Sequence, residues 1–528
     1  MTKEELAQQA FQECCDLNTA VRHGTKGGLP FWNVESTMFM YVPAFHFTAF
    51  RNCHRYRFDA LDEQGTVHFF ESDDCCARLT PIWAELPVGK VQLTVTALKE
   101  DGTAWGVIGA RTFFRSSPFT AENPPAVCSY KECAIRAYRY AMAQPFIQYW
   151  LNEGKPDPHY DLNSYPAKMI GSLVKAMISY AKICPEDAEN AMKVAVNAAD
   201  YLMAITPRGD QPLADLPPTY YLDFCPDPAA YGMTSPNWKL ATTRVGTSMM
   251  MYPAYAGVMY VALAEATGEK KYLEEAVKIG RYYQKTVEPN GSWFLVRSEK
   301  TGEPLGPNYI APLDHVVPFL TSLYEATKEP CWKELAENAV NYVMQNQLPT
   351  YNWEGQFEDT AATVNYCNLT HYAPGSLAKY LVKYHQDDPQ SVELAKELMR
   401  FVEDQFVLWK QPYPWPHHSP DEDEPPYDTA KWHTPAALEQ YFWYVPIDAS
   451  TSAVLLGFLA MYKAGCGSLY LAKAQALADQ LTRMQQEDGK IPTHWMHTPG
   501  AERNFWFNCM FASCEALVTM AEYENVEP

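Results

Sequence analysis

The chain has 528 residues, of which 47% are apolar and 20% charged, so it can bury more than one hydrophobic core and two domains are expected. Its formal net charge of −21, without a basic stripe or Lys/Arg run to neutralise phosphate, excludes nucleic acid and an anionic membrane as partners. No run of ~18 uninterrupted apolar residues occurs, which excludes a spanning helix.

In chain order, Met1 to Gln12 carries acidic and amide residues where a secretory signal needs a basic start and an apolar stretch, so a cytoplasmic location is expected. From Met38 to Phe114, β-rich runs (Met38–Phe50, His54–Leu61, Val67–Glu71, Lys90–Leu98, Gly109–Phe114) alternate with turn signals such as Asp62 to Gly65 and Glu100 to Gly102. They predict a small β-sandwich near the size of an immunoglobulin-like module. Pro118 to Pro125 reads as a linker, which gives an N-terminal segment and β-sandwich over residues 1–125 and a second domain over 126–528. The fourteen cysteines are scattered. The adjacent pairs Cys14/Cys15 and Cys75/Cys76 lack the spacing of a zinc knuckle, and no CxxC occurs, so reduced thiols are expected with no metal and no cofactor. His417 and His418, followed by Asp421 to Glu424 among prolines, read as a solvated acidic loop.

Beyond the linker the pattern turns helical and repeats. Five times an amphipathic helix with a small residue in its middle leads into a long aromatic loop. In four copies the helix closes on a glutamine and a loop tryptophan follows: Gln284 and Trp293, Gln345 and Trp353, Gln405 and Trp415, Gln485 and Trp495. Spacings of 60, 62 and 80 residues between those tryptophans are too long for common solenoids but suit a helical hairpin with an elaborated loop. Each copy follows a helix that is apolar or small nearly all round, such as Gly246–Thr267, Ile310–Thr327 and Ile447–Ala464, as a helix covered on every side must be. The partners Tyr272–Val287, Cys331–Gln347, Val392–Trp409 and Tyr470–Gln486 place charge on one face and are read as outer helices. Hairpins fall at 164–205, 246–288, 311–347, 368–409 and 447–486, and single helices near 130–152 and 504–524 pair to make a sixth. The predicted fold is mainly α: an (α/α)6 barrel, or six-hairpin toroid, behind a small N-terminal β-sandwich. It resembles the toroid of six-hairpin glycosidases, polysaccharide lyases and sugar epimerases.

Antiparallel hairpins put the amino ends of all inner helices on one rim with the long loops, where free N–H groups and partial positive charge favour reactive carboxylates and anionic groups. Glycoside hydrolysis needs one carboxyl to protonate the leaving oxygen and another as base or nucleophile. The candidates are Asp314 and Asp448 at inner-helix starts, the neighbours Glu358 and Asp359, and Glu439; either helix-start Asp could instead be a cap. Aromatic planes suit the C–H faces of a pyranose, so Trp293, Trp353, Trp415, Trp432, Trp495 and Trp506 are expected as walls. His315, His433, Tyr441 and His494 complete the rim, and Arg244, His371 and Lys431 would meet a substrate carboxylate. The runner-up chemistry is β-elimination from a uronic acid, for which Asn368, His371 and Tyr372 resemble the Asn, His and Tyr set of toroid lyases. Sugar epimerisation through paired histidines and non-catalytic glycan binding are further readings.

The order of β-sandwich then toroid resembles uronide-processing enzymes, in particular the β-glucuronidases of glycoside hydrolase family 154. The resemblance rests on architecture and on the aromatic, carboxylate-rich rim, and it implies a carbohydrate substrate. The sequence leaves room for a homo-oligomer.

Overall fold

The computed structural model describes residues 1–16, 36–305, 315–353, 370–410, 433–439, 446–493 and 505–528. Helix α1 (Lys3–Cys15) opens on a capping box between Thr2 and Glu5, which satisfies two free N–H groups reciprocally. Strands β1 (Met38–Phe39), β2 (Tyr56–Leu61), β3 (Val67–Ser72), β4 (Gly89–Leu98) and β5 (Ala104–Arg115) form one sheet in the order β1-β5-β4-β2-β3, with β1 parallel to β5 and the other pairs antiparallel. Alternation buries Phe58, Leu93, Val95 and Phe113 on one face. That face is covered by residues 42–53 and the short helix α2 (Thr80–Trp83), which supply Phe45 and Trp83 to a core separate from that of the barrel. Among the described residues the covering layer is therefore coil and helix where a second sheet was expected. The run Met38–Phe50 leaves the sheet after Phe39 because Asp404 Oδ1 takes the N–H groups of Met40 and Tyr41, and Pro43 has none to give.

The single helix expected near 130–152 breaks into α3 (Tyr130–Met142) and α4 (Pro145–Glu153), because Pro145 has no N–H and restarts the helix at its first position. The hairpins then follow: α5 (Pro166–Ile183) with α6 (Ala188–Ile205); then, after α7 (Pro236–Arg244), α8 (Met251–Thr267) with α9 (Lys270–Thr286); α10 (Val316–Thr327) with α11 (Pro330–Asn346); α12 (Tyr372–Tyr384) with α13 (Pro389–Phe406); α14 (Asp448–Lys463) with α15 (Ser468–Met484); and α16 (Phe507–Met520), which packs on α3. Helix α5 packs on α8, α8 on α10, α12 on α14, α14 on α16, and α16 returns to α5. Between α10 and α12, Glu325 Oε1 accepts from Lys383 Nζ at 2.9 Å and from the Tyr384 hydroxyl at 3.0 Å, which completes a closed (α/α)6 ring.

Two glycines show why small residues recur inside these helices. A Cβ on Gly257 of α8 would stand 2.3 Å from the Phe319 ring of α10, and one on Gly280 of α9 would stand 2.5 Å from Leu323 Cδ1. At those positions neighbouring helices approach too closely for any side chain.

The N-terminal sheet is anchored on the last turn of α13. Glu403 Oε2 accepts from Lys473 Nζ at 2.7 Å and from the Tyr41 hydroxyl at 2.9 Å, and Glu403 Oε1 accepts from Trp409 Nε1 at 2.8 Å. Gln405 Nε2 donates to the Met38 carbonyl at 2.9 Å, and the Ser36 hydroxyl donates to Gln405 Oε1 at 2.9 Å. Helix α1 packs on α15, and Leu6, Ala10 and Cys14 join the barrel core rather than that of the sheet. Glu403 and Lys473 are each 2% exposed, so removing one charge strands the other in the interior. Glu403→Gln should destabilise the protein by ~3–5 kcal/mol, read from the first transition in urea unfolding; an unchanged midpoint would show that the pair carries no such weight.

Candidate functional site

Every inner helix starts on the same rim, and among the described residues none of the six N-cap side chains caps its helix, although Asp448 Oδ1 and the Thr370 hydroxyl accept the N–H groups of Ala449 and Tyr372. The leading N–H groups of the six helices and their partial positive charge therefore face the mouth of the barrel. No helix among the described residues is long and apolar enough to cross a membrane.

On one side of the mouth, Lys168 occupies the first turn of α5, where a cation works against the helix dipole. Its Nζ lies 4.6 Å from the centre of the Trp506 ring and 5.5 Å from that of Tyr252, contacts that hold a cation over aromatic faces. Tyr165 meets Trp506 at 5.7 Å and Tyr220 at 5.4 Å, both edge to face. Arg244 Nη1 reaches the Tyr220 hydroxyl at 3.4 Å. Aromatic faces and two cations thus share one patch. Deeper in the barrel, Lys175 Nζ lies 3.1 Å from Glu515 Oε2, and that carboxylate raises the lysine pKa against the opposing effect of burial. Tyr255, whose phenol burial raises, meets the His315 ring at a centroid distance of 4.7 Å and a tilt of 40°.

Asp448 begins α14 and is fully buried. Its Oδ1 accepts the Ala449 N–H at 2.8 Å and its Oδ2 accepts the Ser513 hydroxyl at 3.1 Å, while its own N–H donates to the Thr493 carbonyl at 3.2 Å. Burial holds its carboxyl well above the usual carboxylate range, outweighing those two bonds, and the nearby charge of Glu439 pushes it further. Glu439 is half-buried and sits one residue beyond the bridge between Leu438 and Pro446. A second perturbed carboxyl, Glu299, follows β7 (Val296–Ser298), which pairs with β6 (Thr247–Met249) ahead of α8. Burial pushes Glu299 up to about 7, and its N–H donates to the Gly246 carbonyl at 2.8 Å. A carboxyl that exchanges its proton near neutrality is suited to acid–base work.

The structure assigns several expected residues to other roles. Trp293 and Trp353 are sealed, at 2% and 0% exposure, so neither indole offers a face to a sugar. Trp293 Nε1 instead donates to the Tyr283 carbonyl at 2.8 Å. His371, 2% exposed, has its pKa pulled down to about 3 by burial, with Lys379 adding to the effect. It is neutral at working pH and brings no charge to a substrate carboxylate, contrary to expectation. His371 lines a small cavity with Lys379, Met399 and Gly457, 4.2 Å from the Tyr372 ring. His315, Tyr372 and Trp506 are half-buried and His433 is exposed. Asp314, Glu358, Asp359, Asn368, Trp415, Lys431, Trp432, Tyr441, His494 and Trp495 lie outside the described residues.

Tyr165, Lys168, Tyr220, Tyr252, Tyr255 and Glu299 escaped the sequence reading. Lys168 carried a usable signal, a lysine in the first turn of an inner helix, where a cation works against the dipole. Helix α7, which delivers Arg244, was also missed, although Ser235 followed by Pro236 is a helix-start pattern and the Ser235 hydroxyl does accept the Trp238 N–H at 3.0 Å. Nothing in the sequence around Glu299 announces burial.

A model described as the ulvan lyase N-terminal domain matches residues 228–412, less than half of the chain. The chain is similar in structure to the cellobiose 2-epimerase of Spirochaeta thermophila, with a TM-score of 0.50, 14% identity and coverage of 75% of this chain and 96% of that one. It is similar to a sugar epimerase from a ruminal bacterium, with a TM-score of 0.50, 11% identity and coverage of 75% and 98%. A family 76 glycoside hydrolase from a bovine Bacteroides thetaiotaomicron strain gives 0.49 at 11% identity, covering 89% and 93%. No curated protein matches the chain. At these identities the likeness shows the fold alone.

The two perturbed carboxyls predict a pH dependence. Unfolded Glu299 ionises near 4.5 and the folded one near 7, so its contribution to stability is fully present below about 4.5 and is lost as pH rises toward 7. Asp448 has the same sign over a window that opens near 3.8 and extends well above it. Wild-type stability in urea should fall more steeply between those pH values than that of Glu299→Gln or Asp448→Asn; parallel curves would contradict the burial of these groups.

Proposed function

We propose that the chain is a carbohydrate-active enzyme acting on a uronic-acid glycoside bound at the mouth of the barrel. The observation that carries this reading is Lys168: a cation placed against a helix dipole, over Trp506 and Tyr252 and on the same aromatic patch as Arg244, in a chain of net charge −21. Aromatic planes would take the C–H faces of the sugar, and Lys168 and Arg244 its carboxylate. The ring of inner-helix amino ends adds a field of the right sign. The (α/α)6 fold shared with the two epimerases accommodates sugar chemistry, although fold alone does not select a reaction.

For the chemical step the reading is hydrolysis of the glycosidic bond, in the manner of a family 154 β-glucuronidase. Glu439 is the half-buried carboxyl placed to meet substrate. Asp448, sealed behind it and kept protonated, acts on Glu439 through charge and through the position of α14. Glu299, Asp314, Glu358 and Asp359 are candidates for the second carboxyl. A second reading, β-elimination from a polyuronate, is favoured by the ulvan lyase N-terminal match, whose span contains Tyr255, His315, His371 and Tyr372. The adjacent Tyr255 and His315 rings are of the residue types such a step uses.

Incubation with a β-glucuronide, a neutral β-glucoside and a polyuronate separates these readings. Hydrolysis releases a reducing uronic acid without a new conjugated double bond, whereas elimination creates that double bond and its near-ultraviolet absorbance. Glu439→Gln should lower kcat by ~10²–10⁴-fold while glucuronide still binds; an undiminished kcat rejects its role. Lys168→Met should weaken glucuronide binding by ~10–100-fold, the value of one charge-assisted hydrogen bond, and leave the neutral glucoside unaffected. Equal losses for both sugars would reject carboxylate recognition by Lys168.

A further inference from the structure

Adjacent side chains ordinarily diverge, yet Cys75 and Cys76 converge. The turn that carries them is set by Asp74, whose Oδ1 accepts the Cys76 N–H at 2.8 Å, whose own N–H donates to the Ser72 hydroxyl at 3.1 Å and whose carbonyl accepts the Ala77 N–H at 3.3 Å. Both thiols face the Phe47 carbonyl, at 3.2 Å from Cys75 Sγ and 3.5 Å from Cys76 Sγ, and the two sulfurs stand 3.7 Å apart. His46 Nδ1 is 3.8 Å from Cys76 Sγ. Ligand atoms of Asp74, Cys75 and Cys76 all lie within 4.8 Å of one another. Two thiolates on a tetrahedral zinc ion, each ~2.3 Å from the metal, stand roughly 3.8 Å apart, and a thiolate and an imidazole nitrogen slightly less. The sulfur spacing of this turn already matches that geometry. Packing does not demand it, because Cys76 is half-buried and Asp74 and His46 are exposed.

We propose that Cys75, Cys76, His46 and Asp74 form a site for a thiophilic d10 cation, zinc(II) by donor set, on the cover of the N-terminal sheet. The two sulfurs and the Asp74 oxygen already lie together, and His46, which stands against Cys76, swings in as the fourth donor; two sulfurs, a nitrogen and an oxygen select zinc over magnesium or calcium. On binding, each thiol releases its proton to solvent, and the metal staples residues 46–47 to the turn at 74–76. The second acidic and thiol cluster among the described residues, Cys184, Glu186 and Asp187, is different in kind. Arg139 already supplies its cation, with Nη2 at 2.8 Å from Glu186 Oε1 and 3.5 Å from Cys184 Sγ.

The site is testable without reference to catalysis. Full-length protein, reduced and treated with chelator, is titrated with cobalt(II) and then with zinc(II). One equivalent of cobalt should produce thiolate charge-transfer absorbance and tetrahedral ligand-field bands, which zinc abolishes. Cys76→Ser and His46→Ala, both at surface positions that should leave the fold intact by circular dichroism, should weaken cobalt binding by more than ~10-fold, the lower bound set by losses of supporting groups alone. Cys331→Ser, on an outer helix of the barrel, should bind as wild type, and zinc should raise the melting temperature of wild type but not of Cys76→Ser. Absence of the charge-transfer band, or a band that persists undiminished in Cys76→Ser, overturns the proposal.

Discussion

Parallel packing of six covered helices is the constraint from which the rest of the molecule follows. Inner helices such as α8 and α14 are apolar or small nearly all round, so they need neighbours on both sides and an outer helix behind, and a closed ring is the arrangement that supplies all three. Closure fixes direction as well. With each outer helix antiparallel to its partner, the amino ends of all inner helices share one rim. The mouth therefore combines backbone N–H groups and positive helix ends with the aromatic rings that hold Lys168 and Arg244.

That rim explains why the same carboxyl chemistry has different outcomes at different depths. Asp448 lies at a helix start, where the dipole alone would favour its ionised form. Full burial nevertheless prevails and holds the carboxyl well above the usual carboxylate range, because the Ser513 hydroxyl and one backbone N–H replace only part of the lost hydration. Glu299, on a loop with partial access to water, is raised only to about 7. Glu515, more exposed still, pairs with Lys175 instead. Cations show the complementary pattern: Lys473 is tolerated inside because Glu403 meets it at 2.7 Å, whereas Lys168 lies at the mouth over aromatic rings.

The architecture was legible in the sequence because periodicity and helix polarity are local properties that tertiary packing reinforced. The contrast between all-round apolar helices and one-sided helices separated inner from outer correctly, and the two leftover helices do pair, as α16 with α3. The chemistry was less legible, and the repeat itself shows why. Among the described members, Gln405 and Gln485 serve packing, the first holding the Met38 carbonyl and the second the carbonyls of Cys133 and Gly489, and Trp293 and Trp353 are sealed inside, whereas Gln284 and Gln345 are exposed. A periodic signal reports what every hairpin must do, which is pack. The residues that distinguish the mouth, Lys168, Arg244, Tyr255 and Glu299, come once each, from a first helical turn, the end of an unread helix, the second turn of α8 and a loop. Their proximity is a product of ring closure, which no local window contains.

The end of α13 ties the N-terminal sheet to the mouth. Glu403, Asp404 and Gln405 are consecutive, buried and wholly engaged by Ser36, Met38, Met40, Tyr41, Trp409 and Lys473. The next residues form β8 (Val407–Leu408), which pairs with β9 (Ala436–Ala437). From there the Leu438 N–H donates to the Phe406 carbonyl, the Ile447 N–H to the Ala437 carbonyl, and the Ala437 N–H to Thr451 Oγ1 at 3.1 Å, which fixes the strand against the first turn of α14. Glu439 and Asp448 flank that junction. Buried hydrogen bonds of this kind resist rearrangement, since each broken partner leaves a polar group without water. The sheet thus bears on the proposed site through the backbone, by holding the turn of α13 from which the Glu439 strand is hung.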